Sequence, residues 1–197
     1  MTLTQATLGE RTLLKNIALI VGGSAFIAVA AQIAVPMWPV PMTLQSLAIL
    51  MVGLTYGARL GAATLVAYLA EGLAGLPVFS NGGAGAAYFF GPTCGFLLGF
   101  VLTAWVAGFA ADRGWTKGFL STFAVAVVAA AAMYLPGVAW PMGVASVFGV
   151  DAAWVGTSAA KIWAGWVSPF LLGDVLKAAI AAMFVSGAWA ALKSRNA

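Results

Sequence analysis

The sequence predicts an all-α membrane protein of six transmembrane helices, with N- and C-termini cytoplasmic and outer loops folding over a ligand pocket. Three observations lead there. The chain of 197 residues is 63% hydrophobic and only 7% charged, and its mean hydropathy of +1.02 lies far outside the soluble range. Its apolar residues fall in runs near the ~20 residues a helix needs to cross a hydrocarbon core. Its cations collect in alternate connections between those runs.

A single integral membrane domain over residues 1–197 is expected, with spans at roughly 16–35, 44–58, 60–76, 91–111, 118–136 and 166–192. Pro36, Pro39 and Pro41 separate the first span from the second, because proline removes a helix donor and clashes with the preceding turn. Tyr56-Gly-Ala-Arg59 is short enough to make spans two and three a tight hairpin. Residues 76–87, Leu-Pro-Val-Phe-Ser-Asn-Gly-Gly-Ala-Gly-Ala-Ala, are apolar yet rich in glycine and are read as non-helical. A third such stretch, about 137–165, carries Pro141, Asp151 and Lys161 after Pro136, and is expected to include a short interfacial helix.

Charge then orients the bundle. Arg11, Lys15, Arg59, Arg113, Lys117, Lys193 and Arg195 all fall at the chain ends or in the 2–3 and 4–5 turns, whereas the opposite loops hold only Lys161. The positive-inside rule therefore puts both termini in the cytoplasm. Trp38, Trp140, Trp154, Trp163 and Trp166 cluster on the other side, as an aromatic belt would. A net charge of +4, spread over loops, does not suit nucleic acid. With a lone Cys94, read as a packing residue, and no His, neither a disulfide nor a metal site is expected. Residues 1–15 are polar, and no cleavable signal peptide is expected.

The informative exception to this apolar pattern is in the last span. Asp174 and Lys177 are three residues apart and so share a helical face. Each ionisable group near a bilayer centre costs about 2.5–3.5 kcal/mol on the lenient insertion scale. Either the two satisfy each other as a structural ion pair, or a polar ligand requires them. Non-helical backbone at membrane depth survives only buried in protein or lining a cavity. The 77–90 loop is therefore expected to cover an outward-facing pocket, offering its backbone groups and Asn81. Glu71 either lines that pocket or bonds neighbouring backbone. Thr43 and Gln45 either face it or cap the second helix.

Four motifs in order, Pro39-Val-Pro-Met-Thr-Leu-Gln45, Tyr68-Leu-Ala-Glu-Gly-Leu-Ala-Gly-Leu-Pro-Val-Phe79, Gly91-Pro-Thr-Cys-Gly-Phe-Leu-Leu-Gly-Phe100 and Pro169-Phe-Leu-Leu-Gly-Asp-Val-Leu-Lys177, resemble the BioY family. These are the biotin-binding S components of energy-coupling-factor (ECF) transporters. The resemblance covers about residues 15–190; Cys94 stands where the family usually has Gly, and Asn81-Gly-Gly-Ala-Gly also differs from the family's usual form. It implies high-affinity biotin capture outside a bacterial cytoplasmic membrane and delivery inward, alongside a transmembrane coupling protein and a pair of ATP-binding subunits. Some family members are reported to function without dedicated partners. There is no Gly-x-x-x-x-Gly-Lys-Ser/Thr loop, so no cofactor is expected and ATP would act only through partner subunits.

Against biotin, Asp174 would accept ureido N–H bonds, while Lys177 keeps it ionised and donates to the ureido oxygen or the carboxylate. Asn81 matches the ureido group with both a donor and an acceptor. Thr43 and Gln45 suit the tail, and Phe79, Tyr88 or Trp166 could wall the fused ring. In the family, an alanine-rich face of the first helix docks the coupling protein; here Ala18, Gly22, Ala30 and Ala34 recur at suitable spacing. Internal packing is the other explanation of that spacing. Membrane lipid is the remaining partner, and a homo-oligomer is left open. Alternatives to biotin are another vitamin, such as thiamin or riboflavin, and more remotely an intramembrane enzyme built on Gly173-Asp174 with Glu71. Binding is expected to order the outer loops, with release requiring the whole bundle to reorient.

Overall fold

The computed structural model describes residues 2–10 and 12–195; Arg11, counted above among the cations of the termini, lies outside them. Thr2 starts α1 (Leu3–Leu8) with a reciprocal cap: its hydroxyl accepts from the Gln5 N–H, and the Gln5 side chain accepts from the Thr2 N–H. Thr12 caps α2 (Leu13–Gln32) through the Lys15 N–H. A two-residue antiparallel ribbon, β1 (Ala34–Val35) with β2 (Met42–Thr43), then brackets the proline segment. α1 and the ribbon go beyond the sequence expectation, since neither is long enough to show a period.

Helices α3 (Gln45–Tyr56) and α4 (Ala58–Leu73) form the expected hairpin. Gly57 makes the reversal at φ 86, a left-handed conformation that a Cβ would oppose. Asp112 completes it by accepting from the Ala58 N–H at 3.0 Å. Short α5 (Gly85–Phe89) interrupts the glycine-rich loop before α6 (Cys94–Asp112).

The rest of the chain is more helical than predicted. α7 (Phe119–Ala132), α8 (Tyr134–Ala139) and α9 (Ala145–Val147) lie in one run from Phe119 to Val147, and α10 (Ala159–Ile162) joins α11 (Leu171–Arg195) in another. Pro136 is the third residue of α8, where a missing N–H costs little. Wider π turns at Trp140–Val144 and Trp163–Val167 absorb the remaining irregularity, with a break at Gly143 (φ 151).

Among the described residues, four helical runs are long and apolar enough to cross a membrane: Leu13–Gln32, Cys94–Asp112, Phe119–Val147 and Ala159–Arg195. The other two predicted spans correspond to α3, with 12 residues, and α4, with 16. Eight residues of each are buried against the rest of the bundle.

The connections divide the bundle into two ends. Short turns, α1 and the C-terminal turns of α11 lie at one, called here the turn end. The ribbon, the 74–93 loop and the α8–α10 region lie at the other, the loop end. α6 packs against α3 and α4, α2 against α4, and α11 against α7 and α3. Small residues close the centre: a Cβ on Gly108 would overlap the Gly57–Ala58 backbone, and one on Gly53 would lie 2.7 Å from the Ala104 carbonyl oxygen. The loop-end core is aromatic, with Tyr68, Phe79, Phe89, Phe96, Phe100 and Trp140 buried together. The tryptophan belt is thus only partial. Trp38 and Trp163 are 81% and 57% exposed, but Trp140 and Trp166 are buried in the loop-end core.

Candidate functional site

Asp174 sits in the first turn of α11 and Lys177 one turn deeper, both 8% exposed. Asp174 Oδ1 lies 3.8 Å from Lys177 Nζ, an ion pair too long to be a direct hydrogen bond. The two have further partners. Tyr134 Oη donates to Asp174 Oδ2 at 2.5 Å, and Lys177 Nζ donates to Ser46 Oγ at 3.0 Å. Three elements therefore meet at one polar cluster: Ser46 from α3, Tyr134 from α8, and the pair from α11. Charge-assisted bonds of this kind hold both ions in a setting where each alone would be strongly unfavourable.

The cluster lines a cavity with Thr43, Phe96, Phe100 and Phe170. That cavity is about 50 Å³, and a neighbouring one of about 40 Å³ is lined by Thr43, Gln45, Ser80, Tyr88 and Thr93. Val40, Pro41, Thr43, Phe96 and Phe100 line both, so the two are halves of one site pinched by the ribbon. Each half holds about a water or two, well below the ~300 Å³ of an ordinary ligand pocket. Above them a cleft of about 450 Å³ is bounded by Trp38, Pro39, Pro41, Asn81, Tyr88 and Thr93.

Five of the nine predicted binding residues, Asp174, Lys177, Thr43, Gln45 and Tyr88, line the paired cavities. Asn81 lines the cleft above them, held at φ 56 in a single 3₁₀ turn. Tyr88 bridges cavity and cleft; its hydroxyl faces Thr93 and Ser80, and burial pushes its phenol above the usual value, keeping it a neutral donor. Thr43 and Gln45 line the second cavity, while the N-cap position of α3 is Leu44, which makes no side-chain cap bond. Thr43 Oγ1 accepts from the Gln45 N–H at 3.1 Å, and Gln45 Nε2 donates to Tyr68 Oη at 2.7 Å.

Three residues lie elsewhere. Phe79 is fully buried, stacked on Tyr88 and seated over Gly72, where any Cβ would overlap its ring. Trp166 lines a separate vestibule of about 430 Å³ with Trp38, Trp154 and Lys161. Glu71 accepts from Ser24 Oγ at 2.9 Å between α4 and α2, away from both cavities. Of the helix-one positions, Ala18 and Gly22 are exposed; Ala30 is buried in the core, and Ala34 has left the helix for β1. Those four positions therefore do not form one face. Ser46 and Tyr134 were missed by sequence reasoning. Ser46 looked like an ordinary small helix residue, and Tyr134 is remote in sequence from α11; its one signal was a polar-tipped aromatic beside Pro136 at the end of an apolar run.

Several apolar runs that can cross a membrane, wrapped around a buried ion pair at a cavity, define a multi-pass membrane protein with an intramembrane polar site. A profile of the BioY family matches residues 3–194, and the chain belongs to that family. It is 33% identical over 167 residues to a Pyrococcus horikoshii protein named "Probable biotin transporter BioY", covering 85% of this chain and 91% of that one. It is 36% identical over 152 residues to the "Biotin transporter BioY" of Rhizobium etli, covering 74% and 75%. Both relatives carry the names of transporters, not enzymes. The fold is also that of a crystal structure described as the S-component for biotin from an ECF-type ABC transporter. That comparison gives a TM-score of 0.68 at 24% identity, over 90% of this chain and 94% of the other.

Proposed function

We propose that this chain captures biotin and carries it across the membrane as the substrate-binding component of an ECF transporter. The observation that carries the reading is the Asp174–Lys177 pair, braced by Tyr134 and Ser46 at the wall of a loop-end cavity in a member of the BioY family. Asp174 Oδ1, facing Lys177 across 3.8 Å, has room to accept a ureido N–H. Lys177 neutralises it and offers a donor to the ureido oxygen. Phe96, Phe100 and Phe170 supply the apolar walls for the fused ring. Asn81, Tyr88 and the cleft above suit the other end of the ligand. Because both half-cavities are small, ligand uptake requires the ribbon or the neighbouring loop to move outward.

The rest of the reading follows the same argument. Residues 1–197 form one domain of six spans in a bacterial cytoplasmic membrane, with α3 and α4 as the two short ones. The cations of the turn end put both termini in the cytoplasm, so the loop end faces out. A transmembrane coupling protein and ATP-binding subunits drive the return step, and no cofactor is resident. Ala18 and Gly22, exposed on α2, are the part of the small-residue pattern open to a coupling protein.

The test is calorimetric titration of the detergent-purified chain with biotin, beside Asp174→Asn and Lys177→Ala. The expected result is one-to-one binding by the native chain, weakened at least ~30-fold in each variant. A folded native chain that ignored biotin would overturn the reading and turn attention to thiamin and riboflavin.

A further inference from the structure

The turn end holds a cavity of its own, remote from the charged pair. A groove of about 600 Å³ runs between the C-terminal turns of α11, the α6–α7 turn and α1, lined by Lys117, Gly118, Trp189, Ala190, Lys193 and Ala6, among others. Trp189 and Lys193, four residues apart on α11, share a face. Lys117 Nζ lies 5.4 Å from the Trp189 ring, within cation–π range, so the indole holds one ammonium at the groove wall. Both lysines are exposed, and no acidic side chain is among the lining residues. Two cations converge on one concave space, and among the described residues that line it none carries the opposite sign.

The groove is also not closed toward the membrane. Below Ala190, the same flank of α11 continues through Gly187 and Met183, and the neighbouring start of α7 presents Leu120; Met183 and Leu120 are 63% and 78% exposed. A soluble anion would need only the basic mouth. A molecule with a phosphate head and acyl chains would use both the mouth and the apolar flank beneath it. Basic pockets between helices at a membrane surface favour anionic head groups on these grounds.

We infer that the Lys117–Trp189–Lys193 groove binds the phosphate of an anionic phospholipid, whose acyl chains lie along α7 and α11. The site is independent of the biotin reading and of the pair on α11 that carries it.

The experiment reconstitutes the native chain in phosphatidylcholine nanodiscs with a minor fraction of phosphatidylglycerol, then counts retained lipid by native mass spectrometry. One phosphatidylglycerol should stay bound where phosphatidylcholine is stripped, and Lys117→Gln with Lys193→Gln should weaken that retention about 30-fold. Excess inorganic phosphate or glycerol phosphate should not displace the lipid; displacement would assign the groove to a free phosphate and overturn the inference. Equal retention of the two lipids, or unchanged retention in the double variant, would do so too. Loss of coupling-protein binding in that variant, with phosphatidylglycerol retained as before, would assign the groove to an acidic protein segment instead and also overturn it. Should the double variant not fold, the native chain decides alone: brominated phosphatidylglycerol should quench tryptophan emission more than brominated phosphatidylcholine. Trp189→Phe should abolish that difference, and equal quenching by both lipids counts against the site.

Discussion

The loop end and the centre-to-turn half of this bundle are built by opposite rules. Toward the turn end, Gly53 faces Ala104 and Ala107, and Gly108 faces the Gly57–Ala58 backbone, at distances that leave no room for a Cβ on either glycine, and the core there is mostly alanine, leucine and valine. The loop end is packed with large aromatics around polar groups, and it retains small cavities. Small residues give close backbone contact with one arrangement. Large rings and hydrogen-bonded ions leave gaps that a ligand or a shifted loop can fill. Rigidity and adaptability are thus segregated along the axis, and the buried pair lies on the adaptable side.

The comparison can be broken at several points. Lys177→Ala should have the largest effect, destabilising the fold by about 3–5 kcal/mol because it leaves Asp174 buried without its counter-ion. Thermal unfolding in detergent reads this. Asp174→Asn with Lys177→Met should recover most of the stability, and without recovering biotin binding; recovery of both would make the pair architecture alone. Gly108→Val should cost about 3 kcal/mol by overpacking against the Gly57–Ala58 backbone. A variant as stable as the parent would show that the turn end yields like the loop end. Tyr134→Phe removes the hydroxyl bonded to Asp174 and should cost about 1.5–3 kcal/mol, read as weaker biotin affinity and a lower midpoint. Gln45→Leu, which deprives Tyr68 of a donor, should cost about 1 kcal/mol. Trp166→Phe should have the smallest effect on affinity, since its ring lies in the separate vestibule; a large loss would join vestibule and cavity into one site.

Much of this division was legible from residue order. Helices α3 and α6 lie within a few residues of the apolar runs at 44–58 and 91–111, because long apolar runs bounded by Pro, Gly or Arg have few alternatives. The 137–165 region was less legible. Its prolines read as breakers, whereas Pro136 occupies a first helical turn and Pro141 the start of a π turn, and sequence spacing does not separate these cases. In the site, the charged pair announced itself because ions in an apolar helix need a reason. Ser46, which supplies part of that reason, carries no local signal, and Tyr134 only its place beside Pro136; tertiary packing is what brings α3 and α8 to α11. Phe79 misled for the complementary reason. An aromatic in a glycine-rich loop resembles a pocket wall, but the missing side chain of Gly72 makes it a core residue.

That seat has a mechanical consequence. Phe79 is a peg in the Gly72 socket, and its loop is fastened twice more. Gln32 donates to the Phe79 carbonyl at 3.0 Å and accepts from the Gly82 N–H at 2.9 Å, while Tyr68 donates to the Val78 carbonyl at 2.8 Å. A loop moored at three points behaves as a doorframe. The opposite bank is the proline segment ending at Thr43, closed by a two-residue ribbon and carrying Trp38 outward at 81% exposure.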